Sequence, residues 1–159
     1  MKIYHGSNVE VREPQLLAGR TALDFGQAFY MTTDYEQARK WAQLISKRRK
    51  SISPIVNEFD FDETKLNELS VLVFEKADRN WLEFISCCRT SKKQMNEYDL
   101  IIGPVANDQT FSVIQLYLVG AYDEDEALRR LLPYKLKNQY AFKTEKALSC
   151  LSFTRAVFV

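Results

Sequence analysis

Two hydrophobic periods divide the chain. In "TTDYEQARKWAQLISKRRK", Tyr35, Ala38, Trp41, Ala42 and Ile45 recur at helical intervals, and Thr33 and Glu36 stand at capping-box spacing ahead of them. The pattern predicts a helix over about 34–48, with the basic run at 47–50 closing its last turn, where cations suit the helix dipole. In "SPIVNEFDF" the period is two: Ile55, Asn57, Phe59 and Phe61 alternate with the residues between them, as on a strand. Residues 2–5, "YDLIIGP", "NQYAFKT" and "LSFTRAVFV" read as further strands, with Gly103 and Pro104 stopping "YDLIIGP".

Three more helices follow from start signals. Asp78 can cap one that carries Trp81, Leu82, Phe84, Ile85 and Cys88, and Asn107 or Asp108 opens another through about Leu118. The third begins at Asp123, with acids in its first turn and Arg129 and Arg130 near its end. About six strands and four helices, without regular strand-helix alternation or a Gly-rich phosphate loop, predict an α+β domain rather than a doubly wound sheet. A loop through Gly19, poor in periodic apolar positions, follows the first strand, and long loops of this kind are often functional.

Composition narrows the partners. A length of 159 residues fits one domain, 1–159, able to bury about 70% of its unfolded surface. With 22 Lys and Arg against 21 Asp and Glu, no overall field steers the chain toward nucleic acid or an anionic membrane. Three cysteines, Cys87 and Cys88 adjacent, lack disulfide or zinc spacing, so reduced thiols and no metal are expected. Neither a secretory signal nor a stretch of about 18 apolar residues is present, which predicts a soluble, cytoplasmic protein.

Four places hold residue types beyond what packing needs: "YHGS" with the lone histidine, "DFGQAFYMT", Trp41, and "NQY" at 138–140. Together they resemble the PARP-like ADP-ribosyltransferase superfamily, whose H-Y-E signature places a His-Gly-Ser/Thr on the first strand, a tyrosine on the second and a glutamate leading a later one. His5, Tyr30 and Gln139 occupy those places. With "YDLIIGPVAND" and "KTEKALSCLSF", nearly the whole chain is similar to a bacterial, toxin-like branch of that superfamily known mainly as a domain of unknown function.

The resemblance implies a split β-sandwich of two small antiparallel sheets with flanking helices. It also implies an NAD-dependent mono-ADP-ribosyltransferase, a glycosyltransferase that cleaves the nicotinamide-ribose bond and uses NAD as substrate. The acceptor is left open, and a small antitoxin-like protein is a possible partner. The transition state is oxocarbenium-like, so the site must hold a flat ring, fix the sugar and favour positive charge on it.

Each motif takes one task under that reading. His5 would donate to the adenosine ribose, Gly6 would bring its backbone against the carboxamide, and Ser7 would orient nearby groups. Tyr30 and Trp41 would sandwich the nicotinamide, and Arg20 would grip the pyrophosphate. Gln139 would hold the ribose hydroxyl, without the anion a glutamate supplies; restoring glutamate there is expected to raise turnover. Glu58 and Glu145 are the carboxylates that could substitute, while Ala28 and Ala38 stand where relatives use glycine and serine.

Packing explains each residue alone as well. His5 can pack beside Tyr4, Tyr30 and Trp41 can be core rings, Gln139 a strand-edge amide and Arg20 a solvated loop residue. Three other functions follow from the same residues: a binding module for NAD or ADP-ribose without turnover, an NAD glycohydrolase, and an NAD-using RNA 2'-phosphotransferase. The last needs a basic cluster around phosphate, and no second histidine joins His5.

Overall fold

The computed structural model describes residues 1–16, 23–50, 52–90, 97–106, 108–134 and 136–159. Arg20, Asn107 and the centre of the first long loop lie outside the described residues. Two sheets organise the chain. In the first, β3 (Ile55–Phe61) lies between β1 (Lys2–Ser7) and β7 (Leu151–Phe158), all antiparallel. In the second the order is β2 (Phe29–Met31), β6 (Asn138–Phe142), β5 (Leu100–Pro104) and β4 (Val71–Val73).

The expectation of two antiparallel sheets is corrected in one place: β4 and β5 run parallel. Helix α2 (Arg79–Thr90) lies in the connection between them and returns the chain to run in the same direction, as a parallel pair requires. The fold class is mixed α+β.

The helices begin where capping residues allow. Asp34, not Thr33, caps α1 (Tyr35–Arg48): its carboxylate accepts from the Gln37 N–H at 2.9 Å. A carboxylate adds charge to the cap, and Thr33 is exposed one residue too early. Asp78 accepts from the Trp81 N–H at 3.1 Å at the start of α2. Asp123 does the same from the Glu126 N–H at 2.8 Å for α4 (Glu124–Leu131), which follows α3 (Asp108–Leu118). The hydrophobic periods miss β4, a 3-10 turn at Glu63–Glu68 and α5 (Glu145–Leu148), each too short to complete a repeat.

The core forms in layers. Ile3, Phe59 and Phe61 from the first sheet meet Phe29, Met31, Leu100 and Phe142 from the second. On the far side of the second sheet, Ile101 and Ala141 pack under Trp81, Leu82 and Ile85 of α2, Val113 and Ile114 of α3, and Ala127 and Leu131 of α4. On the far side of the first sheet, Ala38 and Ala42 of α1 cover Val56. Strand β3 is therefore buried on both faces, and its apolar alternation understates that burial because Asn57 and Glu58 are buried too. No described helix is long and apolar enough to cross a membrane.

Candidate functional site

Among the described residues, one isolated bridge joins the two sheets. The Tyr4 N–H donates to the Thr32 carbonyl at 2.8 Å, and the Thr32 N–H to the Tyr4 carbonyl at 2.9 Å. Tyr4 therefore turns its backbone groups away from β3, and alternation along an antiparallel strand turns those of Gly6 the same way. A continued ladder would bring Gly6 opposite Tyr30. The His5 ring intervenes instead, its Nδ1 lying 2.8 Å from the Tyr30 carbonyl oxygen. Beyond the bridge no backbone hydrogen bond joins β1 to β2 among the described residues, and the backbone edge of Gly6 lies on this seam.

His5 is held by its surroundings. A carbonyl oxygen only accepts, so Nδ1 carries a proton directed at Tyr30. The imidazole also stacks on Phe29, with centroids 4.3 Å apart and planes at 27°, so its partner ring is Phe29 rather than Tyr4.

Gly6 is required by a helix. A Cβ at Gly6 would lie 2.2 Å from the Ala38 carbonyl oxygen and 2.8 Å from the Ala42 nitrogen. The small residues of α1 bring its backbone onto β1, and no side chain fits between. Ser7 closes the turn that follows, its hydroxyl accepting from the Val9 N–H at 3.3 Å. Buried Asn57 fixes the next segment: it accepts from the Val11 N–H at 2.8 Å and donates to the Val9 carbonyl at 3.2 Å.

Trp41 is not a core ring; it is 48% exposed. Gln37, one turn earlier on the same flank of α1, places its Oε1 3.0 Å from the Thr32 hydroxyl, which is also 3.3 Å from the Asn138 carbonyl. Trp41 follows Gln37 by one turn of α1. Tyr30 lies across the seam and is partly buried against the helical layer. Its hydroxyl donates to the Gly26 carbonyl at 2.6 Å and accepts from the Phe25 N–H at 3.1 Å. Burial pushes this phenol well above its ordinary value, so it remains a donor. Among the described residues neither Tyr30 nor Trp41 stacks on another aromatic ring.

Gln139 is buried on β6 opposite Gly103 of β5. Its Nε2 donates to Asp24 Oδ2 at 3.0 Å. The same oxygen accepts from the Ala106 N–H at 2.9 Å, and Oδ1 accepts from Arg89 Nη2 at 2.5 Å. The guanidinium carbon of Arg89 lies 5.5 Å from the centre of the half-exposed Phe111 ring. The strand-edge reading of Gln139 is thus replaced by a buried network. Lys143 supports it from below, donating to the Phe25 and Gln27 carbonyls at 2.6 and 3.2 Å, with its amine pKa lowered by burial.

The two substitute carboxylates are committed elsewhere. Glu58 pairs with Lys2 at 2.6 Å and Arg155 at 3.0 Å, and Glu145 is exposed at the start of α5, beyond the opposite end of β6 from Gln139. Sequence reading missed Arg89, Thr32 and Asn57 as members of this region. Only "DFG" hinted at the network, through an acid placed before a turn.

A family model described as a protein of unknown function, DUF3990, matches residues 1–153. No curated protein and no solved structure matches the chain.

Proposed function

The chain belongs to the DUF3990 family, and from that premise we propose that it is an NAD-dependent mono-ADP-ribosyltransferase of a bacterial toxin or conflict system, acting in the cytoplasm. Under this proposal its two sheets form the split sandwich of ADP-ribosyltransferases, and the seam is the NAD cleft. The observation that carries the reading is the isolated Tyr4–Thr32 bridge, which turns the Gly6 backbone edge toward the seam between the sheets.

A carboxamide matches such an edge, because it offers one donor and one acceptor side to a backbone N–H and C=O. Trp41, half exposed on α1, and Tyr30 of β2 are the rings that would flank the pyridinium. Stacking on an aromatic face contributes about 1 to 3 kcal/mol. His5 Nε2 hydrogen-bonds a ribose hydroxyl of the adenosine half, and Gln139 Oε1 accepts from a hydroxyl of the ribose next to nicotinamide. The C–N bond then breaks with its electron pair on the pyridine nitrogen, and nicotinamide leaves neutral. The acceptor nucleophile bonds to the ribose carbon and loses its proton.

The protein incubated with NAD labelled in the adenylate half and a bacterial lysate tests the proposal. Label on protein, nucleic acid or a small molecule, with release of nicotinamide, is expected. Intact NAD and no labelled product would overturn it. Mass spectrometry for an added ADP-ribose identifies the acceptor, and an antitoxin-like partner would suppress the label.

A binding module is the second reading, favoured by the amide at position 139 and by the pairing of Asp24 with Arg89. Calorimetry showing saturable NAD binding without consumption would select it. Release of nicotinamide without labelled acceptor would instead indicate an NAD glycohydrolase.

A further inference from the structure

We infer that Asp24 is a positioning residue for the proposed site: it fixes the Gln139 amide with Oε1, not Nε2, presented to the ligand. The inference rests on the proposed function for the identity of that ligand, and on geometry for the rest. A carboxylate accepts hydrogen bonds only, so the amide atom 3.0 Å from Asp24 Oδ2 must be the NH2 group. The opposite end of the amide is then its carbonyl oxygen, which makes no hydrogen bond among the described residues. It presents to a sugar hydroxyl the acceptor that a glutamate would present.

Asp24 is itself fixed from three directions. Arg89 and the Ala106 N–H hold its two oxygens, and the turn after it is clamped by the Tyr30 hydroxyl and the Lys143 ammonium. Gly26 closes that turn at φ 73°, a backbone region suited to glycine, with its N–H donating to the Leu23 carbonyl at 3.0 Å. Aspartate, turn and tyrosine therefore form one rigid bracket behind the amide.

This geometry reverses the expectation for a glutamate at 139. In Gln139→Glu a second carboxylate would face Asp24 within hydrogen-bond distance in a buried place; Arg89 is already paired with Asp24 and the Lys143 amine is bonded to the Phe25 and Gln27 carbonyls, so a shared proton relieves the added charge. The new carboxyl would ionise above the ordinary glutamate range. Its ordinary partner state in the unfolded chain ionises first, so the variant loses stability and site order as pH rises above about 4.3. Exchanging the pair, as Gln139→Glu with Asp24→Asn, restores a donor facing an acceptor.

The test uses the full chain as wild type, Gln139→Glu and the exchanged double variant, each measured at pH 6 and pH 8 by NAD calorimetry and by thermal unfolding. Relative to wild type at the same pH, Gln139→Glu should bind NAD more weakly at pH 8 than at pH 6, as the second carboxyl loses its proton. Its melting point should fall over the same interval, and the double variant should recover to within about threefold of wild-type affinity at both values. Wild-type affinity in Gln139→Glu at pH 8 would overturn the inference. Should the double variant not fold, because Asp24→Asn weakens the pairing of Arg89, the melting series of Gln139→Glu decides: a difference from wild type that does not change with pH overturns the pairing. Failure of the wild type to bind NAD would overturn the proposed function instead, and the melting series would still judge the bracket.

Discussion

At Gly6 a single missing methyl group decides where a helix can lie. The nearest obstacles to a Cβ are backbone atoms of Ala38 and Ala42, which cannot rotate away as a side-chain tip would. Gly6→Ala should therefore destabilise the fold by about 2 kcal/mol or more, read by urea unfolding, because overpacking a fitted contact costs about 1 to 3 kcal/mol. A loss under about 0.5 kcal/mol would show that α1 slides freely on β1. Trp41 presents the opposite case. It is half exposed, so Trp41→Ala should change stability by less than about 1 kcal/mol. Its NAD affinity should nonetheless fall about 5- to 100-fold, the range of one lost stacking contact. Equal affinity in the variant would remove Trp41 from the site.

Among the elements, β3 carries an unusual load for a strand in a small sheet. Glu58 is buried in it, bonded first by Lys2 and then by Arg155, and these partners hold its carboxyl below the ordinary value of about 4.5. A carboxyl with a depressed folded pKa stabilises the fold above its unfolded value, and that contribution is lost as pH falls through the lower folded one. Glu58→Gln should thus cost about 1 to 3 kcal/mol at neutral pH and flatten the acid limb of the stability curve below about pH 4.5. An unchanged acid limb would mean that the pair with the exposed Lys2 and Arg155 adds nothing. The caps show how local rules succeed at this scale: Asp78 and Asp123 start α2 and α4 where the sequence places them. At α1 two adjacent residues could each serve, and the carboxylate of Asp34 takes the role expected of Thr33.

For the whole molecule, the proposed function makes ligand binding and folding one problem. The proposed site residues come from both sheets, with His5 and Gly6 on β1 and Tyr30 and Gln139 on β2 and β6. A dinucleotide bound there ties both sheets together and is absent from the unfolded chain. NAD at 100 times its dissociation constant should add about 2.7 kcal/mol to the unfolding free energy. Thermal scans with increasing NAD check this, and a melting point unmoved at saturating NAD would place binding elsewhere or nowhere.

The sequence by itself determined the longer elements and the fold class, because a hydrophobic period and a capping side chain act within a few residues of one another. It also singled out His5, Gly6, Tyr30, Trp41 and Gln139. Only the tertiary structure decided what each one touches. The Asp24–Gln139 contact joins residues 115 positions apart, and Asp24–Arg89 joins residues 65 apart. The Nδ1 hydrogen bond of His5 likewise depends on a carbonyl 25 positions away. Such contacts are set by how two sheets and three layers of core close on one another, and no short-range pattern records that closure.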